Sequence, residues 1–328
     1  MKHLRFLLVA LLVALAIWKL YPHFADFAKI YALKDNINYY YLIIGILAQS
    51  GQYIGDGLLS QTLLKIIGVK MNFKNTIRIA SLNVVAAHLF PVGEAGSIAT
   101  AYYFYKKLGI TTQNFLFLST SWSAITFSTL ITMLLLSMFF IPHLPNINFN
   151  TVGIILIAFI IIAVSILLIF RRIIWEKLKN KIQKLGFYKE ILEYKENLPI
   201  YRKAILSHKL LLVEAVIAAF IYYGTNIVTL SFSFLTFGSF PPIHLLTFAY
   251  ALSMISGWVT LSPAGLGAAE ATLILVFLQF GIDPAHTVAS VLVFRLITFW
   301  IPIPAGAFSY ISLKKQIAKE AGLKSEGE

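Results

Sequence analysis

Apolar segments separated by short loops dominate this chain, and the loops carry most of its charge. A helix of about 20 apolar residues crosses the ~30 Å hydrocarbon core of a bilayer. Of the 328 residues, 59% are hydrophobic and 12% are charged, a balance unlike that of soluble domains. We therefore predict an all-α polytopic membrane protein, with no folded soluble domain in this stretch. The apolar segments cover residues 4–21, 38–60, 79–105, 113–141, 151–170, 210–237, 244–281 and 286–311.

Clusters of Pro, Gly and Glu interrupt two of these segments, one in each half of the chain. Irregular backbone at membrane depth is tolerated only where it is buried in protein or lines a wet cavity. An acidic residue there is a functional candidate by default. We therefore expect both interruptions to contribute to one substrate site. Their residues are Pro91, Gly93, Glu94, Gly96, Pro263, Gly265, Gly267 and Glu270.

Basic residues are distributed unequally between the two sets of alternating loops. One set holds 23 of the 27 Lys and Arg residues, which predicts that both termini and the basic loop 171–209 are cytoplasmic. Residues 4–21 are typical of a signal peptide or of a first transmembrane helix. We favour a retained helix, because Trp18 and Lys19 are typical of a membrane interface.

This orientation predicts that the first interrupted segment enters and leaves on the cytoplasmic side and the second on the outer side. Residues 79–90 would reach only ~18 Å as a helix, too short to span. Residues 244–261 could span or re-enter. The order span, break, span then occurs twice with opposite orientation, over residues 38–141 and 210–311. We predict two inverted repeats, each with a re-entrant broken helix pair, and about six full spans in all.

Three charged residues inside the apolar segments are candidates for the chemistry of the site. Glu94 and Glu270 are predicted in the first turn of the helix that leaves each break, where they could cap that helix or bind substrate. Arg295 lies well inside the last apolar segment, and Glu270 is its expected partner. The pair could fasten two helices together, or Arg295 could meet a phosphate, for which its planar fork is suited.

Other polar residues leave alternatives open. Asp56, in a glycine-rich stretch, could line the same cavity or lie near the cytoplasmic interface. His88 could carry protons or be a hydrogen-bonded structural histidine. The Ser/Thr-rich face of 119–129 could form a cavity wall or join helices. Glu214 is expected to reach back to the lipid headgroups.

Several classes of chemistry have no signature in the chain. There is no cysteine, no metal-ligand spacing, and no phosphate-binding or dinucleotide loop. We therefore expect no metal and no cofactor. The net charge of +13 does not indicate nucleic-acid binding, because the basic residues border apolar segments instead of forming a stripe.

The second cluster, Ser262-Pro-Ala-Gly-Leu-Gly-Ala-Ala-Glu270, followed by Gly281-Ile282, Arg295 and Trp300-Ile-Pro-Ile-Pro-Ala-Gly306, resembles the C-terminal signature of the flippase-like membrane family. That family includes the membrane domain of lysylphosphatidylglycerol synthases. The first cluster with Lys106-Lys-Leu-Gly-Ile110 resembles its N-terminal signature. The resemblance implies a two-repeat bundle that moves a polar lipid between leaflets. This chain has Trp122 and Ser123 near where family members often have a Glu-Arg pair on the next helix. The resemblance does not extend to the aminoacyl-transferase domain of the synthases, so we expect no lysyl transfer.

The leading hypothesis is therefore a lipid flippase of the cytoplasmic membrane, not an enzyme, whose partner is a phospholipid or a lipid-linked headgroup. Two alternatives remain: a membrane-embedded lipid-modifying enzyme, and a non-transporting scaffold of an envelope-lipid pathway. Assembly into a homo-oligomer is left open. If transport is coupled to protons, we expect Glu94→Gln to stop it without unfolding the protein.

Overall fold

The structure is a computed structural model that describes residues 33–89, 93–141, 188–260 and 265–325. The predicted segments 4–21 and 151–170, Pro91, Pro263 and the side chain of Glu94 lie outside the described residues. All regular elements in the described ranges are helical. After a short 3-10 turn (Leu33–Asn36), the helices are α1 (Tyr39–Ile66), α2 (Phe73–Leu89), α3 (Gly93–Lys107), α4 (Thr112–Phe139), α5 (Tyr188–Glu196), α6 (Leu198–Ser207), α7 (Lys209–Leu235), α8 (Ile243–Thr260), α9 (Ala268–Gln279), α10 (Pro284–Arg295) and α11 (Pro302–Ser325).

Three stretches of helix among the described residues are long and apolar enough to cross a membrane: Thr112–Phe139, Lys209–Leu235 and Pro284–Glu320. The last one comprises α10, α11 and a π-helical segment between them. Helix α1 has 28 residues and is also long enough, but polar side chains on its buried face lower its hydropathy. These helices agree with the prediction of an integral membrane protein.

Helix α2 differs from its predicted extent. It begins at Phe73, before the apolar segment starts, because the Asn72 side chain accepts a hydrogen bond from the Lys74 N–H at 2.9 Å. Side-chain oxygens of this kind satisfy the open N–H groups at a helix start. The helix therefore has 17 residues, more than the apolar pattern alone indicated.

Helices α1 and α7 form the central antiparallel pair of the described bundle. The start of α1 meets the end of α7, where Thr229 Oγ1 donates to the Gly45 carbonyl at 3.4 Å. The end of α1 meets the start of α7, where Thr62 Oγ1 donates to Glu214 Oε1 at 2.7 Å. Glu214, expected at the headgroups, thus finds a partner on α1 and also lies 3.8 Å from Lys65 Nζ. Small residues let helix backbones meet, and three glycines of α1 lie against α7: Gly45, Gly51 and Gly55.

The two interrupted segments form helical hairpins that pack on the outside of this pair. The first hairpin (α2–α3) packs on α1 and on α11. Ser81 Oγ of α2 lies 2.7 Å from Ser309 Oγ, and Arg78 Nη1 donates to Gln316 Oε1 at 2.9 Å, so α2 and α11 are antiparallel. The second hairpin (α8–α9) packs on α7 and on α4. Each hairpin therefore contacts the last long helix of the other half of the chain.

Two large clusters of buried apolar side chains hold the bundle together. One is centred on α7, α8, α9 and α10, with Tyr223, Phe234 and Phe277 among its largest members. The other is centred on α1, α2, α3 and the start of α4. The short helices α5 and α6 dock on α4, where the Thr120 and Tyr194 hydroxyls lie 2.7 Å apart.

Candidate functional site

A cavity of about 760 Å³ lies where both hairpins face the central helix pair. Its lining comes from α1, α2, α3, α4, α7, α8 and the region of Arg295, and from Gly265 and Ala269 of the second hairpin. Cavities of a few hundred to about 1,000 Å³ are typical of small-ligand sites. The described residues of both halves of the chain therefore build one chamber.

The structure distributes the predicted site residues in three ways. Asp56, Gly265 and Arg295 line the cavity, and Glu270 does not line it but contacts Arg295. The backbone of Gly267 forms the start of α9. The backbone of α3 places Gly93, Glu94 and Gly96 in its first turn, as the sequence predicted.

Arg295 and Glu270 form the predicted ion pair between α10 and α9. Arg295 Nε lies 2.8 Å from Glu270 Oε1, and the side chains are 17% and 20% exposed. The Nε–H is buried but is not aligned with an acceptor among the described residues, so the contact is an electrostatic one. It holds the guanidinium at the cavity wall, at the last residue of α10.

Glu270 has a second role at the start of α9. Its Oε2 accepts a hydrogen bond from the Gly267 N–H at 2.7 Å, as N3 carboxylates do in a capping box. The helix cap and the ion pair that the sequence indicated for Glu270 thus hold together in one carboxylate. Oε2 of Glu270 accepts from the Gly267 N–H, and Oε1 faces Arg295.

Glycines shape the turn of the second hairpin. Gly265 has φ +68°, and a Cβ built on it would lie 2.9 Å from the Gly257 Cα on α8. Gly267 has φ +85°. Glycine adopts the left-handed region without the steric cost that other residues meet. These two positions therefore need glycine, one of them for its close approach as well.

Asp56 belongs to a polar stripe on the cavity face of α1, with Gln52 and Ser60 one helical turn to either side. It is 6% exposed, and the Trp122 Nε1–H on α4 donates to its Oδ1 at 2.7 Å. Of the two locations considered for Asp56, the structure therefore supports the cavity wall. The stripe could have been found in the sequence, because residues 52, 56 and 60 recur every four positions.

Trp122, Asn83 and Asn226 also line the cavity, and sequence reasoning did not single them out as site residues. Asn83 Oδ1 is buried without a hydrogen-bond partner among the described residues. No local motif marks the two asparagines, which reach the cavity from α2 and α7 by tertiary packing alone.

His88 of α2 stacks on Phe299 of the π-helical segment, with ring centroids 4.4 Å apart, and it also lines the cavity. Ser119, Ser123 and Thr126 show that the Ser/Thr-rich face of α4 forms a cavity wall. The first hairpin, the last long helix and α4 thus meet at the same chamber.

The cavity reaches the protein surface beside α3 and α4. Ile98 and Phe127 line it and are 51% and 52% exposed. Phe127 stacks on Trp258 of the second hairpin, with ring centroids 6.0 Å apart. The rim at these residues is therefore apolar, whereas Asp56 and Arg295 give the wall polar character.

The π-helical segment, Leu296–Trp300, directly follows Arg295. The Ile301 N–H donates to the Leu296 carbonyl, five residues back, at 3.2 Å. Single π turns inside α-helices are frequent at functional sites. Here the turn separates the residue that pairs with the second hairpin, Arg295, from the residue that stacks on the first, Phe299.

Comparison with known proteins agrees with the family resemblance. The family model described as the lysylphosphatidylglycerol synthase TM region matches residues 4–306. A UPF0104 membrane protein of Methanocaldococcus jannaschii is 23% identical over 310 residues, which cover 90% of this chain and 91% of that protein. UPF0104 membrane proteins of Pyrococcus horikoshii and Methanothermobacter thermautotrophicus are each 27% identical over 44% and 30% of this chain, and 41% and 29% of theirs. The chain is an integral membrane protein that belongs to the family of the lysylphosphatidylglycerol synthase transmembrane region.

Proposed function

We propose that this protein moves a phosphate-containing polar lipid between the leaflets of the cytoplasmic membrane, through the cavity between two inverted repeats. The observation that carries the proposal is the cavity itself, which draws its wall from both hairpins and from the central helix pair. Midplane sites between repeated halves with broken helices are characteristic of secondary transporters.

Arg295 supplies the phosphate contact in this proposal. It is 17% exposed, and its terminal guanidinium nitrogens make no hydrogen bond to the described residues. A guanidinium binds phosphate oxygens through parallel N–H groups. Glu270 holds the guanidinium at the cavity wall through its contact with Nε.

The apolar rim supports a lipid as the ligand. A headgroup bound near Arg295 needs an exit for its acyl chains, and the rim at Ile98 and Phe127 offers an apolar one. The chamber then holds only the headgroup. The acyl chains remain in the bilayer during movement, so their transfer costs little.

The packing of the helices supports the inverted repeats. Each hairpin packs on the first long helix of its own half and on the last long helix of the other half. The pattern of neighbours is therefore the same when the two halves are exchanged, with α1 matching α7, α2–α3 matching α8–α9, and α4 matching α10–α11. The hairpin helices α2, α3 and α9 have 17, 15 and 12 residues. At ~1.5 Å per residue these lengths are below the ~30 Å of the hydrocarbon core, as re-entrant helices require.

The π-helical segment is the hinge in this mechanism. Rotation of α11 about Leu296–Trp300, relative to α10 and to the first hairpin, would open the chamber to one side and close it to the other. The ion pair of Arg295 with Glu270 stays on one side of the hinge, so the phosphate contact survives the motion.

Transport is tested with purified protein in liposomes that contain a fluorescent phospholipid, by the fraction of label that an impermeant quencher reaches. We expect faster exchange between leaflets than in empty liposomes, and at least tenfold slower exchange for Arg295→Met. The matched control is Arg202→Met, which removes an exposed arginine from α6. Wild-type protein that exchanges no lipid, or Arg295→Met at the wild-type rate, would contradict the proposal. Mass spectrometry of the recovered lipid separates transport from the enzymatic alternative, since transport leaves the lipid unchanged.

The orientation is tested by labelling single cysteines, for which the cysteine-free chain has no background. We expect an impermeant thiol reagent to reach Lys203→Cys only from the cytoplasmic side and Ser239→Cys only from the outer side. Lys203 lies in α6, before α7, and Ser239 lies after the end of α7. Labelling of both cysteines from the same side would contradict the predicted inverted topology.

A further inference from the structure

The polar groups of the cavity wall are mostly uncharged amides and hydroxyls. Arg295 is the sole Lys or Arg among the described lining residues, and Glu270 already lies against it. A headgroup held by its charge alone would find one cation here, and that cation is compensated. The uncharged groups include those of Gln52, Ser60, Asn83, Ser119, Asn226 and Ser253.

The three carboxamides retain hydrogen-bonding capacity toward the chamber. Asn83 Oδ1 is buried without a partner among the described residues. Asn226 Nδ2 donates to the Tyr222 carbonyl at 2.8 Å, and Gln52 Oε1 accepts from the Gln49 amide. Within the described chain this leaves an oxygen on Asn226 and an NH₂ group on Gln52. Buried polar groups in proteins are rarely left without partners, so the Asn83 oxygen needs a donor that the described residues do not supply.

Aromatic rings occupy much of the remaining wall. Trp122 and Tyr222 approach edge to face, with centroids 5.8 Å apart, and Trp258 lies across the chamber rim. The hydrogen bond of the Trp122 indole to Asp56 fixes one of these rings. The C–H face of a sugar or cyclitol ring packs on such a surface by dispersion, while its hydroxyls reach polar groups beside the rings.

We infer that the cavity recognises a polyhydroxylated headgroup, a sugar or cyclitol phosphate, through Gln52, Asn83 and Asn226, with Arg295 on the phosphate. The inference rests on the proposed function and specifies its headgroup. Carboxamides both donate and accept, so they match vicinal hydroxyls, which do the same. The same chemistry occurs in a lipid headgroup and in a soluble polyol phosphate, and the experiment separates these sources.

The test is binding to the full chain in detergent, followed by titration calorimetry. The probes are dioctanoyl phosphatidylinositol, dioctanoyl phosphatidic acid, dioctanoyl phosphatidylcholine and myo-inositol 1-phosphate. We expect the inositol lipid to bind at least tenfold more tightly than the other two lipids. A site built to hydrogen-bond hydroxyls discriminates against ligands that lack them, because its own polar groups are then left unpaired.

A variant that keeps the shape of the wall isolates the hydrogen bonds. We expect Asn83→Leu to lose the preference for the inositol lipid while its affinity for phosphatidic acid changes less than threefold. Thr132→Val is the matched control on the exposed side of α4, outside the cavity lining, and should keep the preference. Intrinsic tryptophan fluorescence on heating shows whether each variant is folded. If Asn83→Leu does not fold, Gln52→Leu replaces it.

Each outcome decides one of the two proposals. Phosphatidic acid or phosphatidylcholine binding as tightly as the inositol lipid overturns the polyol headgroup but leaves lipid transport standing. Inositol phosphate binding as tightly as the inositol lipid supports the polyol site and overturns the lipid as its ligand. Binding of none of the probes overturns the polyol headgroup, whereas transport of the fluorescent lipid is measured separately.

Discussion

At the scale of single residues, the side chain of Glu270 both caps α9 and pairs with Arg295. One oxygen receives the Gly267 N–H and the other faces Arg295. The capping task belongs to the local sequence, because residue and backbone N–H are three positions apart. The pairing task belongs to the packing of α9 on α10. Substitutions that remove one task and keep the other separate their contributions.

Glu270→Gln keeps an oxygen for the Gly267 N–H but removes the charge that faces Arg295. We expect it to lower the free energy of unfolding by about 1–3 kcal/mol, less than for a fully buried pair because both side chains are partly exposed. Glu270→Ala should cost about 0.5–2 kcal/mol more, since the cap is lost as well. The measurement is thermal unfolding followed by tryptophan fluorescence. Glu196→Gln, at an exposed position, is the control; equal stability of Glu270→Gln and wild type would show that the ion pair contributes nothing.

Asp283, in the turn before α10, makes the stability of that helix start depend on pH. It accepts from the His286 N–H at 3.0 Å and lies 2.8 Å from His286 Nδ1. The backbone hydrogen bond from His286 holds the pKa of Asp283 below its usual range. Because the folded-state pKa is depressed, this stability is present above the unfolded pKa of about 3.9 and is lost as pH falls through the lower, folded value.

We therefore expect Asp283→Ala to lower the free energy of unfolding at pH 7 by about 0.5–2 kcal/mol. The difference from wild type should shrink as the pH falls below about 4, because the unfolded carboxylate is protonated there first and the folded one only at its lower pKa. Thermal unfolding over a pH series measures this. Asp283→Asn retains an acceptor that does not titrate, so it should lose less stability at pH 7. A stability difference between wild type and Asp283→Ala that grows as the pH falls would contradict the assigned direction of the pH dependence.

At the scale of helices, the approach of α1 to α7 depends on where glycine occurs. A Cβ added at Gly55 would lie 2.6 Å from the Tyr222 backbone nitrogen and 2.9 Å from the Ala218 carbonyl oxygen. These are backbone atoms, so the helices themselves must separate to admit a methyl group. At Gly224 on α7, by contrast, no atom lies within 4 Å of the added Cβ.

The pair of substitutions Gly55→Ala and Gly224→Ala tests this packing. We expect Gly55→Ala to destabilise the protein by about 1–3 kcal/mol through overpacking. Gly224→Ala should be neutral or stabilising by up to about 1 kcal/mol, because alanine is the better helix former. Unfolding in a denaturing detergent titration compares the two. Equal effects would mean that α1 and α7 do not meet closely at Gly55.

At the scale of the whole molecule, the proposed mechanism requires the two halves of the chain to move relative to each other. The contact of α2 with α11 joins the first hairpin to the last helix of the other half, and the Ser81 and Ser309 hydroxyls meet there at 2.7 Å. A covalent bond at this point would restrain that motion. Because the chain has no cysteine of its own, only the introduced pair can form a disulfide within it.

We expect the double variant Ser81→Cys, Ser309→Cys to transport lipid when reduced and to stop when oxidised to the disulfide. Reductant should restore the rate. Each single variant under the same oxidant is the control, and mobility on a non-reducing gel reports the extent of cross-linking. Full transport by completely cross-linked protein would show that α2 and α11 do not separate during the cycle.

Much of the architecture followed from local pattern. The length of the apolar segments and the chemistry of proline and glycine are properties of neighbouring residues, so the long helices, both interruptions and the Glu270 cap could be predicted. Helix α2 was predicted too short because its start depends on a cap at Asn72. The Thr62 partner of Glu214 could not be predicted, because Thr62 is distant in the chain and meets Glu214 only across the α1–α7 interface.

What the sequence by itself determined is the class of protein. Backbone polar groups in lipid must pair with one another, and a helix pairs them within each apolar segment. The sequence also determined which acid and which arginine would pair. The tertiary structure alone decided that Asp56 faces the chamber, that Trp122 binds it, and that Asn83 and Asn226 share the wall. The physical reason is that a cavity is the space left between helices. Its lining depends on the rotation of each helix about its own axis, which packing across the whole bundle sets.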